Sequence, residues 1–145
     1  MKLYHGSKNS NLNAIKKMQA KAGEGIEVPE DELKNGIYLT PHYDYALAMA
    51  IRPNGITYID DKTKTIEFEN PELFMPEEEV CIYEIEVPEN EVRKIDNNQF
   101  IIEGLDEIKT TAQYSCQAKE IKKYYNLKNW TEEQKQEIYS EFKIK

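Results

Sequence analysis

The chain has 145 residues, of which 19 are basic and 27 acidic, and its formal net charge at pH 7 is −8. That length builds one domain with its own core but not two of ordinary size, so we expect a single domain over residues 1–145. The shortage of Lys and Arg disfavours a nucleic-acid-binding protein, which needs basic groups to displace counterions from phosphates. Ten Tyr, four Phe and one Trp argue against intrinsic disorder.

The cysteine and hydropathy patterns indicate a cytoplasmic protein. Cys81 and Cys116 are too few for a disulfide framework, so we expect two thiols in a reducing compartment, with a single bridge as the alternative. His5 and His42 are the two histidines of the chain, and they do not complete a zinc set. Residues 1–5 lack the apolar stretch of a signal peptide, and no run reaches the ~20 apolar residues of a membrane span.

The first half of the chain is predicted to alternate short strands and helices. Leu12, Ile15 and Met18 recur at helical spacing, and Asp44 is a suitable N-cap for a helix rich in Ala, Leu and Met. The predicted elements are, in chain order, a strand at 2–5, a helix or looped helix at 9–22, a loop or helical turn at 29–33, a strand at 36–40, a helix at 45–51, and a hairpin of strands 56–59 and 66–68.

The second half begins with the clearest strand signal, at residues 79–87, where the side chains alternate between two faces. Further β segments are predicted at 92–95, 99–102 and 107–111. A helical tail is predicted from the spacing of Ala118, Ile121 and Tyr125, with a second helix after a capping box formed by Thr131 and Gln134. The expected fold class is therefore α+β.

Two local patterns stand out as candidate chemistry. The Tyr-His-Gly-Ser segment at residues 4–7 puts a histidine at the end of a strand, next to a glycine that lets a ligand approach the backbone closely. The Gly-Ile-Tyr-Leu-Thr segment at residues 36–40 puts a tyrosine on a second strand, before a helix with small residues. Taken alone, His5 is more simply a hydrogen-bonded structural residue, and Tyr38 a core residue.

Together the two patterns resemble the ADP-ribosyltransferase superfamily, in its His-Tyr-Glu branch, and especially its small bacterial and phage members. Residues 2–8 and 36–50 carry the likeness, which extends weakly to 79–103. The resemblance implies an ADP-ribosyltransferase-like split β-sandwich with flanking helices. It also implies NAD⁺ as co-substrate and a macromolecular acceptor, which is a protein or a nucleic acid, with a protein favoured.

The resemblance also implies roles for individual residues. His5 would donate a hydrogen bond to the 2′-hydroxyl of the nicotinamide ribose, Gly6 and Ser7 would bind the carboxamide, and Tyr38 would stack on the nicotinamide ring. Met49 stands where some relatives carry a second stacking tyrosine. The implied NAD⁺-binding residues are His5, Gly6, Ser7, Tyr38, Thr40 and Met49.

The third family residue is where this sequence departs from the pattern. Cleavage of NAD⁺ passes through an oxocarbenium-like state that a nearby carboxylate stabilises. The family's glutamate opens a later strand, and the matching position here is Gln99, which has no charge to offer. Glu103 is the second choice for this role and Glu107 the third, so the implied catalytic residues are His5 and Tyr38 with Gln99 or Glu103.

Two other functions stay open at this point. The domain could hold NAD⁺ or ADP-ribose without transferring it, as Gln99 in place of glutamate suggests. It could instead be an acidic interaction or inhibitor protein that occupies a basic surface on a partner, which the net charge of −8 permits.

Overall fold

The structure, a computed structural model, describes residues 1–19, 35–53, 57–129 and 131–142, in which strands and helices are mixed and the α+β class is confirmed. The strands are β1 (Lys2–Ser7), β2 (Ala14–Lys16), β3 (Met18–Gln19), β4 (Asn35–Leu39), β5 (Thr57–Asp60), β6 (Thr65–Phe68), β7 (Glu79–Glu86), β8 (Arg93–Lys94), β9 (Phe100–Ile102), β10 (Glu107–Lys109), β11 (Ala112–Gln117) and β12 (Asn126–Asn129). The helices are α1 (Tyr43–Ala50), α2 (Glu132–Phe142) and 3-10 helices at Pro71–Leu73, Glu89–Glu91 and Ala118–Lys123.

The described strands form four small sheets, two of which are joined by a backbone bridge. The sheet orders are β1-β7-β11, β10-β2, β12-β6-β5 and β3-β4-β9-β8. The first and last of these are joined by an isolated antiparallel bridge between Tyr4 and Thr40. The Tyr4 amide donates to the Thr40 carbonyl at 2.7 Å, and the Thr40 amide donates back at 2.9 Å. The bridge therefore brings β1 and β4, which carry the two sequence motifs, side by side.

β7 lies between two hydrophobic cores because its side chains alternate between its two faces. Val80 and Ile82 pack with α1, β6 and the 3-10 helix Ala118–Lys123 in what we call the helix core. Cys81, Tyr83 and Ile85 pack with residues of β1, β4 and β9 in what we call the sheet core. This confirms the two-faced strand predicted at 79–87. Both cysteines are free thiols, as the sequence favoured.

Helix α1 packs directly on β1 at Gly6. A Cβ atom placed on Gly6 would lie 1.9 Å from the carbonyl oxygen of Ala46 and 3.0 Å from the Cβ of Ala50. The small side chains of α1 and the missing side chain at Gly6 together allow this close approach. The predicted N-cap is wrong: α1 begins at Tyr43 with His42 at the N-cap position, and Asp44 lies in its first turn.

The helix predicted at 9–22 is wrong over its described residues, 9–19, which form β2 and β3 instead. Ile15 is buried in the sheet core and pairs with Ile108 of β10. Met18 pairs with Gly36 at the start of β4. Helical spacing of three apolar residues was outweighed by these cross-strand contacts, which local sequence does not contain. The turn predicted at 29–33 lies outside the described residues.

The tail also differs from its prediction. The sequence predicted a helix through Ala118, Ile121 and Tyr125, whereas the structure forms a 3-10 helix at Ala118–Lys123 followed by β12, with β11 before it. β11 forms because it completes the sheet of β7, and β12 because it pairs in parallel with β6. The hairpin of β5 and β6 is confirmed over its described residues, and so is the final helix, α2. In the described part of the chain, no helix is long and apolar enough to cross a membrane.

Replacing Tyr83 with phenylalanine is expected to lower the free energy of unfolding by about 2 kcal/mol, because it removes both partly buried hydrogen bonds of the Tyr83 hydroxyl. The Tyr83 hydroxyl donates to the Asn9 carbonyl at 2.6 Å and accepts from the Leu12 amide at 3.1 Å, which fixes the segment after β1. Urea unfolding monitored by circular dichroism measures the change. Tyr114→Phe is the matched control, since its hydroxyl is exposed and bonds one carboxylate; equal losses in both variants would contradict this account.

Candidate functional site

The candidate site is the place where β1 and β4 part, which we call the β1–β4 split and define by His5, Gly6 and Tyr38. The two strands are joined at the bridge of Tyr4 with Thr40, and that bridge is isolated. Antiparallel register from this bridge puts Gly6 opposite Tyr38 and His5 opposite Leu39. The structure therefore sets Gly6 opposite Tyr38 and the His5 ring against the Tyr38 main chain. Opposite residues share a face, so the His5 side chain lies on the face of Leu39 and the Tyr38 side chain on the other.

His5 is half-buried, and its ring nitrogen Nδ1 lies 3.1 Å from the main-chain oxygen of Tyr38. A carbonyl oxygen only accepts, so Nδ1 carries the proton in this contact. Burial lowers the pKa of His5, and the hydrogen bond to Tyr38 opposes this only in part. The imidazole is therefore neutral at pH 7, and its other nitrogen, Nε2, is a hydrogen-bond acceptor.

Gly6 contacts α1 on the side where a Cβ atom would lie, and its main chain faces the split. The space beside its Cα is filled by α1, so the missing side chain at Gly6 serves the packing of the helix. Main-chain groups alternate between the two edges of a strand, and those of Tyr4 bond to β4. By that alternation, the amide and carbonyl of Gly6 point toward the same edge, opposite Tyr38. Ser7 accepts a hydrogen bond from the Asn9 amide at 3.0 Å.

Tyr38 is half-buried in the middle of β4. Its neighbours Ile37 and Leu39 are buried in the sheet core, so the Tyr38 side chain lies on the other face of the strand. On its far side, β4 pairs with β9, where Tyr38 is opposite Ile101. The ring thus lies on the face that Gly6 shares, where Tyr38 is half-buried and not fully packed as a core tyrosine would be.

Gln99 is held by α1. Its side-chain nitrogen Nε2 donates to the hydroxyl of Tyr45 at 3.0 Å. Burial raises the pKa of Tyr45, so its phenol stays neutral. Extending the pairing of Leu39 with Phe100 by one residue puts Gln99 opposite Thr40, next to the bridge. Tyr45 was missed by sequence reasoning, because its contact with Gln99 spans 54 residues and leaves no local pattern.

Glu103 lies further from the bridge and is engaged elsewhere. It follows β9, about 13 Å along the strand direction from Gln99 at the usual rise per residue. Arg93 donates to its carboxylate at 2.9 Å, and both side chains are more than two-fifths exposed. Glu107, the third choice, is exposed on β10, where it pairs with Lys16. The position of Gln99 beside the bridge supports it over both glutamates as the third site residue.

Thr40 and Met49 make hydrogen bonds that support the turn before α1 and the end of α1. Thr40 is 4% exposed, and its hydroxyl oxygen accepts from the His42 amide at 3.2 Å, which shapes the turn from β4 into α1. Met49 is half-buried on α1, and its carbonyl accepts from Arg52 at 3.3 Å. Thr40 thus positions the β1–β4 split through its backbone bridge to Tyr4. The hydrogen bonds named here do not connect the side chain of Thr40 or of Met49 to His5 or Tyr38.

A groove of about 620 Å³ lies elsewhere, between the β5–β6 hairpin and the turn that precedes Gln99. Its described lining residues are Tyr58, Ile59, Asp60, Asp61, Lys62, Glu67, Asn97 and Asn98. His5 and Tyr38 are not among them, so the groove and the β1–β4 split are separate features. Over the described ranges, no three His, Cys, Asp or Glu side chains are grouped to hold a metal ion.

Comparisons of the chain with protein-family models, with curated proteins and with solved structures found no match. The class that the fold defines is α+β with mainly antiparallel sheets, and function must be argued from the site itself.

Proposed function

We propose that the protein is an NAD⁺-dependent mono-ADP-ribosyltransferase with an ADP-ribosyltransferase-like split β-sandwich fold, and that NAD⁺ binds at the β1–β4 split. The observation that carries the proposal is the contact of His5 with Tyr38. Residues 4–7 and 36–40 are distant in sequence, yet the bridge from Tyr4 to Thr40 sets them side by side. The His5 ring, the main chain of Gly6 and the half-buried Tyr38 are then neighbours where the two strands part.

Each group at the split suits one part of nicotinamide riboside. The ring of Tyr38 offers a flat face to the cationic pyridinium. The amide and carbonyl of Gly6 match the carbonyl and amide of the carboxamide. His5 differs from its expected role: because its Nδ1 donates to Tyr38, Nε2 would accept a hydrogen bond from the ribose 2′-hydroxyl instead of donating one.

The acceptor is proposed to be a protein with a basic surface. A chain with net charge −8 attracts basic partners and repels the phosphates of nucleic acid. The transfer step would break the bond between the nicotinamide nitrogen and the ribose carbon and form a bond from that carbon to an acceptor oxygen or nitrogen. Nicotinamide leaves with the bonding electron pair, and the acceptor loses a proton.

Replacing His5 with alanine is expected to weaken NAD⁺ binding roughly tenfold, the cost of about one hydrogen bond at the ribose. Isothermal titration calorimetry measures the affinity, and chromatographic detection of free nicotinamide measures the cleavage rate. His42→Ala is the control, because His42 is an exposed histidine whose contact with Thr40 uses only its main chain. Wild-type protein that neither binds NAD⁺ nor releases nicotinamide would refute the proposal.

A second candidate function is favoured by the side chains near the bridge. Gln99 carries no charge and Glu103 is bound by Arg93, so neither of these two candidate positions offers a free carboxylate beside the split. A module that binds NAD⁺ or ADP-ribose without cleaving it fits this arrangement. The same calorimetry and nicotinamide measurement separate the two functions: binding without release supports the module, and release above that of His5→Ala supports the enzyme.

A further inference from the structure

The outer edge of β11 presents main-chain groups that the described part of the chain leaves unpaired. β11 is six residues long and pairs on one side with β7, at the end of its sheet. The Ala118 amide donates to the Glu78 carbonyl, which continues the ladder from Ala112, Tyr114 and Cys116. Main-chain groups alternate along a strand, so those of the intervening residues point outward. These outward residues are Gln113, Ser115 and Gln117.

The sequence of β11 lacks the features that normally protect a sheet edge. Edge strands usually carry charged residues or proline, which prevent pairing with another chain. The chain is 32% charged, yet β11, Ala-Gln-Tyr-Ser-Cys-Gln, has neither a charge nor a proline. The other described edge strands of three residues or more each contain a charged residue: Lys2 in β1, Lys16 in β2, Asp60 in β5, Glu107 and Lys109 in β10, and Lys128 in β12.

An aromatic patch lies beside this edge. Tyr114 of β11 is 44% exposed and Tyr124 is 42% exposed. Both rings stand edge to face against Tyr43 of α1, with ring centroids 6.2 and 6.4 Å away. Tyrosine is enriched in protein interfaces and is an uncommon choice for a surface in contact with water alone. The unprotected edge and the exposed rings therefore form one surface.

From these observations we infer that the protein forms a two-fold symmetric dimer in which β11 pairs antiparallel with β11 of a second copy. Two copies of a chain with net charge −8 repel each other, and pairing through β11 sets no charged side chain of that strand against its copy. Pairing joins two three-stranded sheets into one continuous sheet. This inference does not depend on the proposed function.

The alternation of main-chain groups fixes the register of this pairing. The outward residues are Gln113, Ser115 and Gln117, and Ser115 is the middle one. A two-fold axis at Ser115 sets Ser115 opposite itself and Gln113 opposite Gln117, so that all outward amides and carbonyls are satisfied. In that register the Ser115 side chains of the two copies are directly opposite, about 5.5 Å apart at Cα.

The test relies on the proposed register, in which Ser115 of one copy lies opposite Ser115 of the other. Ser115→Lys and Ser115→Glu each place like charges opposite one another, so each variant alone is expected to raise the dimer dissociation constant about fivefold. An equal mixture of the two variants restores dimers, because lysine then faces glutamate. Sedimentation velocity across a concentration series measures the dissociation constants, and circular dichroism verifies that each variant is folded.

Gln117→Lys is the matched control, since it adds the same charge to the same strand but faces the neutral Gln113 of the other copy. Its dissociation constant is expected to stay within about twofold of the wild-type value. Wild-type protein that sediments as a monomer at every concentration would overturn the inference without reference to any variant. Equal weakening by Ser115→Lys and Gln117→Lys would overturn it as well, and so would a mixture that stays monomeric.

Discussion

Replacing Gly6 with alanine is expected to lower the free energy of unfolding by about 3 kcal/mol. The added methyl group would lie 1.9 Å from the carbonyl oxygen of Ala46, so either β1 or α1 must move. Neither moves easily, because β1 is paired with β7 along its whole length and α1 is packed into the helix core. Urea unfolding monitored by circular dichroism gives the free energy of wild type and variant.

Gly104→Ala provides the control for this prediction. A Cβ on Gly104 would meet the carboxylate of Glu91 at 3.4 Å, which is ordinary contact with the end of a flexible side chain. Its stability is expected to change by less than about 0.5 kcal/mol. If the Gly6 variant proved as stable as the Gly104 variant, the close packing of α1 on β1 described above would be incorrect.

Replacing Gln99 with glutamate is expected to raise the rate of nicotinamide release about 100-fold, provided that the proposed enzyme function holds. A carboxylate at this position supplies the negative charge that stabilises the developing oxocarbenium ion. The local structure should survive, because the Tyr45 hydroxyl that now accepts from Gln99 can donate to a glutamate. Chromatographic measurement of nicotinamide over time gives the rate.

Glu103→Gln serves as the comparison for this gain. Its carboxylate bonds Arg93 on an exposed surface, so its removal is expected to leave NAD⁺ binding and nicotinamide release unchanged. Gln99→Glu protein that binds NAD⁺ with wild-type affinity but shows no faster release would mean that Gln99 is not the charge-supplying position. A loss of release in Glu103→Gln would assign that role to Glu103.

Strands with strong local patterns could be predicted from the sequence, and elements that depend on distant partners could not. Local sequence is sufficient to predict β7 from the alternation along residues 79–87, and β4 from the apolar run at residues 36–40. The segment around Ile15 carries helical spacing, but its partner Ile108 lies far along the chain and decides its conformation. β11 alternates small or aromatic residues with Gln and Ser, but this pattern lacks branched aliphatic residues, and its pairing with β7 makes it a strand.

In the candidate site, too, the features that depend on local motifs could be predicted, and those that depend on distant partners could not. The nearness of His5 to Tyr38 was expected from the resemblance, since both residues belong to recognisable local motifs. The direction of the hydrogen bond at His5 was not, because it depends on a main-chain oxygen that the sequence does not specify. The support of Gln99 by Tyr45 was likewise invisible, since it requires α1 to be docked on the sheets.

The position of β7 between the helix core and the sheet core has a consequence for how the molecule opens. Opening either core would expose one whole face of this strand while the other face remained packed. Unfolding either core alone is therefore costly in free energy. The helix core and the sheet core are expected to unfold together as one cooperative unit. Amide hydrogens along β7 should accordingly exchange with solvent only through global unfolding, whichever neighbouring strand they bond to.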